Sequence, residues 1–117
     1  MRNFRKYDIW KEGIDFTKTI YELTSLYPKE EMFGLTAQMR RCAVSMPSNV
    51  AEGASRSTEA GFSHFIEISL GSSFELETQL EISNRINYIS DQRLVELLDP
   101  LHVLQRKLNA FHSTLKK

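Results

Sequence analysis

An all-α fold, an antiparallel up-down-up-down bundle of four helices bent at Pro47 and Pro100, is predicted by three features of the sequence. Apolar residues recur at alternating steps of four and three near both ends of the chain, the seam spacing of packed helices. Strand signals are missing: there is no Asn-Gly or Asp-Gly hairpin turn and no sustained alternation of period two. Short polar breaks separate the helical stretches, as an up-and-down bundle requires.

In the first helix Ile9, Gly13, Phe16, Ile20, Leu23 and Tyr27 keep the seam rhythm, while Lys11, Asp15, Lys18, Glu22 and Ser25 take the other side. Asp8 is the expected N-cap, and Pro28 the stop. A second helix is expected over about 32–55. Its core stripe reads Met32, Leu35, Met39, Cys42, Met46 and Val50, and Pro47 should bend it. Gly53 is expected to end it in a left-handed conformation, where glycine has no side-chain penalty.

Ser57 or Thr58 should cap a third, long helix over about 58–89. One face of it carries Phe62, Ile66, Ser69, Ser73, Leu76, Leu80 and Ser83. Three serines in a core face imply that a neighbouring helix comes close. The last helix, capped by Ser90 or Asp91, carries Leu94, Leu97, Leu101, Leu104, Leu108, Phe111 and Leu115. The phase continues across Asp99-Pro100, so one bent helix is expected there rather than two.

At 117 residues the chain, 1–117, is expected to form one domain. Its 41% hydrophobic and 26% charged content is that of a globular protein. Lys+Arg and Asp+Glu each total 15. Split near residue 60, the halves carry nine basic against eight acidic residues, then six against seven, so neither is a basic tail. That balance weighs against strong nonspecific nucleic-acid binding, which draws on an excess of cations. The single cysteine fits a reduced, cytoplasmic setting. The basic N-terminus is followed by no apolar run, so no signal peptide is expected, and no stretch approaches the length of a membrane span.

Little in the sequence points to chemistry, and no enzyme, metal or cofactor is expected. A di-iron bundle needs Glu-x-x-His pairs, and only the reversed His64…Glu67 occurs, which fits a solvated pair one helical turn apart. His102 and His112 have no acidic or cysteine partner at ligand spacing and read as surface residues. Cys42 lies on the core stripe, not in the electropositive opening a nucleophile needs. Glu75, Glu77 and Glu81 spread around their helix as a partly solvated acidic edge.

The second helix is more distinctive. Beside the core stripe, Gln38, Arg41, Ser45, Asn49, Glu52 and Arg56 form a polar stripe. Ala37, Val44, Ser48 and Ala51 form a third face of small residues roughly opposite the core. A helix exposed on one side does not need that face, which suits another helix or a second subunit. The alternative is an exposed polar face with weak ion pairs such as that of Arg41 with Glu52.

The run from Leu35 to Gly53, with Gln38, Arg40, Arg41, Ser45, Asn49, Ala51 and Glu52 inside it, closely resembles the signature of the four-helix-bundle proteins encoded in bacterial 23S ribosomal RNA intervening sequences. Phe4 to Trp10 and Gly71-Ser72 with Glu75 resemble the same family, in the same order and over nearly the whole chain. The resemblance implies a four-helix bundle, assembly into a ring-like homopentamer, no known enzymatic activity, and a link to RNA. A related group comprises the accessory proteins of diversity-generating retroelements, in which a basic pentamer binds nucleic acid and a reverse transcriptase. Arg40, Arg41, Asn49, Glu52 and Gly53 carry over as motif positions, but this chain departs from the accessory group in its neutrality. Two expectations follow. In the first, Arg40, Arg41 and Arg56 contact phosphate from a homo-oligomer. In the second, the polar stripe only knits helices or subunits together.

Overall fold

Helix-end chemistry sets the elements of the computed structural model, which describes residues 2–115. Helix α1 spans Asp8–Thr24, α2 Leu35–Ala54, α3 Glu59–Arg85 and α4 Asp91–Thr114. Single 3-10 turns at Phe4–Lys6 and Lys29–Glu31 precede α1 and α2, and there is no strand among the described residues. Thr58 caps α3 and Ser90 caps α4, each hydroxyl accepting a hydrogen bond from an otherwise orphaned backbone N–H, of Gly61 and Arg93. Asp8 is not a cap. Tyr7 holds that position with no side-chain bond, and Asp8 is the first helical residue, where the helix dipole favours its carboxylate. Helix α3 stops before 89 because Asn87 turns left-handed at φ 69°, a conformation asparagine tolerates better than most residues.

Two expectations for α2 are corrected. Met32 is not in the core; it precedes the helix and is 55% exposed. Gly53 is not a left-handed cap. No glycine among the described residues has a positive φ, and α2 runs through Gly53 to Ala54. What position 53 requires is closeness: a Cβ there would lie 2.8 Å from both Phe62 Cδ1 and Phe65 Cβ. Glycine therefore lets the end of α2 meet the start of α3.

The core is one cluster drawn from all four helices. Phe16 and Ile20, Met39 and Met46, Phe62 and Leu80, and Leu97 to Leu108 are among its buried members. Each such aliphatic side chain contributes roughly 1.5–3 kcal/mol on burial. Contacts between consecutive helices run in opposite senses along the sequence: Gly13 meets Pro47 and Thr24 meets Arg40, while Phe62 meets Gly53 and Ser83 meets Met39. Ser69, Ser73 and Ser83 are buried, as their face predicts. Their hydroxyls reach the carbonyls of Met46, Leu70 and Gln79 at 2.9, 2.6 and 2.8 Å, so these three buried hydroxyls are satisfied.

Pro47 sits inside α2 and is buried against α1. It has no N–H to offer the carbonyl four residues back, that of Ala43. Thr17 Oγ1 of α1 lies 3.0 Å from that oxygen and 2.7 Å from the oxygen of Gly13, so α1 serves the carbonyl that Pro47 cannot. Gly13 makes this possible: a Cβ there would stand 3.2 Å from the proline ring. Pro100 also lies inside its helix, α4, but is exposed, and water can serve the freed carbonyl.

Gly53→Val should lower stability by about 1–3 kcal/mol through overpacking against Phe62 and Phe65, read as a drop in urea midpoint. An unchanged midpoint would mean that the two helices separate freely at this point.

Candidate interaction surface

The polar stripe of α2 divides in two. At its centre Asn49 Nδ2 donates to Ser45 O and Oγ, both at 2.8 Å, and Ser45 Oγ lies 2.8 Å from Ser72 Oγ on α3. These three side chains tie α2 to α3. The remaining members face water. Gln38 and Arg41 are exposed and make no hydrogen bond or ion pair among the described residues. Glu52 and Arg56 form an exposed pair at 3.9 Å, worth little in water, and the Arg56 guanidinium lies 4.5 Å from the centre of the Phe65 ring.

Arg40, the neighbouring motif arginine, is turned inward. Its Nε donates to Thr24 Oγ1 at 2.9 Å, its NH2 lies 3.4 Å from Tyr21 O, and its guanidinium covers the Tyr21 ring at 4.5 Å. The cation thus closes the carboxyl end of α1, where the dipole favours positive charge. Arg2 does the same for α2, donating to Arg56 O at 2.6 Å and Ala54 O at 3.3 Å while lying over Phe62. Sequence reasoning missed this use of Arg2, which no local spacing reveals.

The small-residue face of α2 remains open. Pro47 and Ala43 are buried against α1, but Val44 is 40% exposed and Ser48 is exposed. With Trp10, Ile14 and Thr17 of α1, Val44, Pro47 and Ala51 line a mainly apolar crevice of about 440 Å³, with Lys18 at its rim. At the far end of the molecule the α1–α2 connection exposes Leu26 at 83% and Phe33 at 93%. Neither was singled out by periodicity, because both lie outside the helices.

His64 is exposed, as expected, but the other two histidines meet carboxylates across the α3–α4 contact. His102 Nε2 lies 3.0 Å from Glu77 Oε2, which with Gln105 makes a three-residue clip between α3 and α4. His112 pairs with Glu67 at 2.9 Å across the same two helices. A search at spacings within one helix could not find these pairs. His64 instead stacks edge-on against Phe65. Lys107 and Glu12 form an ion pair joining α4 to α1. Among the described residues no group of three or more His, Cys, Asp or Glu side chains is placed to hold a metal ion.

Cys42 is buried, as its stripe predicts. Burial pushes its thiol up, and the nearby Glu75 carboxylate adds to this, against a hydrogen bond from Gln79. Such a thiol is a poor nucleophile. For Glu77, burial works toward a raised carboxyl, but hydrogen bonds from His102 and Gln105 and the charge of His102 together hold it below its ordinary value. A depressed folded pKa contributes stability above the unfolded value and loses it as pH falls through the folded one.

Two outcomes follow. Arg40→Met should cost about 1 kcal/mol in a denaturant titration, through the lost end-of-helix cation and its hydrogen bond, whereas Arg41→Ala should leave the midpoint unchanged. Glu77→Gln should flatten the acid loss of stability between roughly pH 5 and pH 3, as pH falls through and below the ordinary Glu value of about 4.3; an acid limb identical to that of the native chain would contradict it.

None of the curated proteins matches the sequence. Among solved structures, the chain is similar to a protein of unknown function from the S23 ribosomal protein family of Bacteroides thetaiotaomicron. The two share 20% identity and a TM-score of 0.82, over 90% of this chain and 95% of that one. At that identity the likeness is one of fold. The family model for the 23S rRNA-intervening sequence protein matches residues 5–110, in keeping with the motif between Leu35 and Gly53. The chain belongs to the 23S rRNA-intervening sequence protein family.

Proposed function

We propose that this chain is a non-enzymatic module that works by self-association, as a ring of five copies, the assembly its resemblance implies. The observation that carries this reading is the open third face of α2. Val44 and Ser48 are exposed and Ala51 is half-buried, and all three line the open crevice between α1 and α2. Covering an apolar crevice removes its surface from water at about 25 cal/mol per Å², and a second copy is the partner always present. No helix among the described residues is long and apolar enough to cross a membrane. The reading puts the protein in the cytoplasm, in keeping with its single free cysteine.

A second reading, contact with RNA, draws on one end of the bundle. Arg5, Lys6 and Arg56 lie where α1 begins and α2 ends, beside the Arg2 that closes α2, while Glu75, Glu77 and Glu81 lie beyond the midpoint of α3. The phosphate contacts expected of Arg40 move to these residues and to Arg41, since Arg40 is engaged at the end of α1. Repetition around a ring would raise the avidity of a weak basic cluster.

Light scattering at micromolar concentration should give the mass of a pentamer; a stable monomer overturns the self-association reading. Titration with single-stranded RNA on the same sample should show weak binding that falls between about 50 and 200 mM salt. Binding that ignores salt, or none at low salt, removes RNA and leaves self-association standing.

A further inference from the structure

Resting on the self-association reading, we infer that Phe33 of one copy inserts into the α1/α2 crevice of the next. Phe33 is the most exposed large apolar side chain described, at 93%, and Leu26 and Met32 beside it are also out in water. It protrudes from the connection between α1 and α2, just before Gly34 and the start of α2. An aromatic ring in that position is not packing its own chain. The ring is also unable to reach its own crevice: Val44 is eleven residues further on, about 16 Å along the helix at 1.5 Å per residue. Knob and crevice can meet only between molecules.

The crevice matches the ring in size and character. Its volume is about 440 Å³, well above the roughly 150 Å³ that suffices for benzene. Ile14, Val44, Pro47, Ala51 and the Trp10 indole line it. Charge agrees as well. Glu30 and Glu31 precede the knob, whereas Lys18, one turn from Ile14, lines the crevice. A contact between two different patches of the same chain is heterologous, the kind that closes into a ring when its rotation allows.

The test uses the whole chain in solution. Phe33→Ala alone, and Val44→Arg alone, should each reduce the light-scattering mass to that of the monomer while keeping the helical circular dichroism of the native chain, because neither side chain belongs to the buried core. Mixing the two should restore a dimer and nothing larger, since one variant keeps an intact crevice and the other an intact knob. Replacing Phe33 with p-benzoylphenylalanine and irradiating a mixture of 15N-labelled and unlabelled copies should cross-link Phe33 to peptides containing Ile14 or Val44 of another copy. Cross-links to another Phe33, a mixture that stays monomeric, or variants that keep the native mass each overturn the insertion while leaving self-association intact. A native chain that is itself monomeric overturns both.

Discussion

The close approach of Gly13 to Pro47 fixes how α1 lies on α2, and much of the molecule follows from it. A proline in mid-helix leaves one carbonyl without its donor, and inside a protein that carbonyl needs another. Thr17 serves it from α1. The helices can come close enough only because residue 13 has no side chain. Once α1 is set against the Ala43–Pro47 side of α2, Val44 and Ser48 are left outside the contact, and the crevice between the helices is a consequence.

The same economy appears on the other flank of α2. Ser45, Asn49, Ser69 and Ser72 join α2 to α3 by short polar contacts, and Gly53 brings the ends of the two helices together. Small side chains give proximity, and the helix carbonyls accept the hydrogen bonds that their buried hydroxyls must make. α4 is attached differently. Its leucine seam supplies the apolar contact, while Glu77 and Glu67 hold its histidines from α3 and Glu12 holds Lys107 from α1. Those clips are partly exposed, so they set register more than they add stability.

Cations complete the frame. Arg40 closes α1 and Arg2 closes α2, each reaching carbonyls at a helix end and each lying on an aromatic ring. Two adjacent arginines of one motif therefore have unlike tasks. Arg40 is structural within the chain, whereas Arg41 is left to the surface. Counting charges along a neutral sequence cannot separate them, and an electrostatic account of any partner has to begin from the cations that remain free.

Helix period, caps and core faces were legible in the sequence because they depend on neighbours within one or two turns. The seam from Ile9 to Tyr27, the serine-bearing face of α3, the leucines of α4 and the burial of Cys42 are all of that kind. So was the unusual small-residue face of α2. The role of Gly53 was not legible, because a left-handed cap and a close approach both call for glycine, and only the positions of Phe62 and Phe65 choose between them. Likewise the partners of His102 and His112 are 25 and 45 residues away in the sequence, and Arg40 differs from Arg41 only in the direction it faces. Local spacing fixes which helices form and which faces they bury; which polar side chains meet, and which apolar ones are left without cover, depends on how those helices are set against one another.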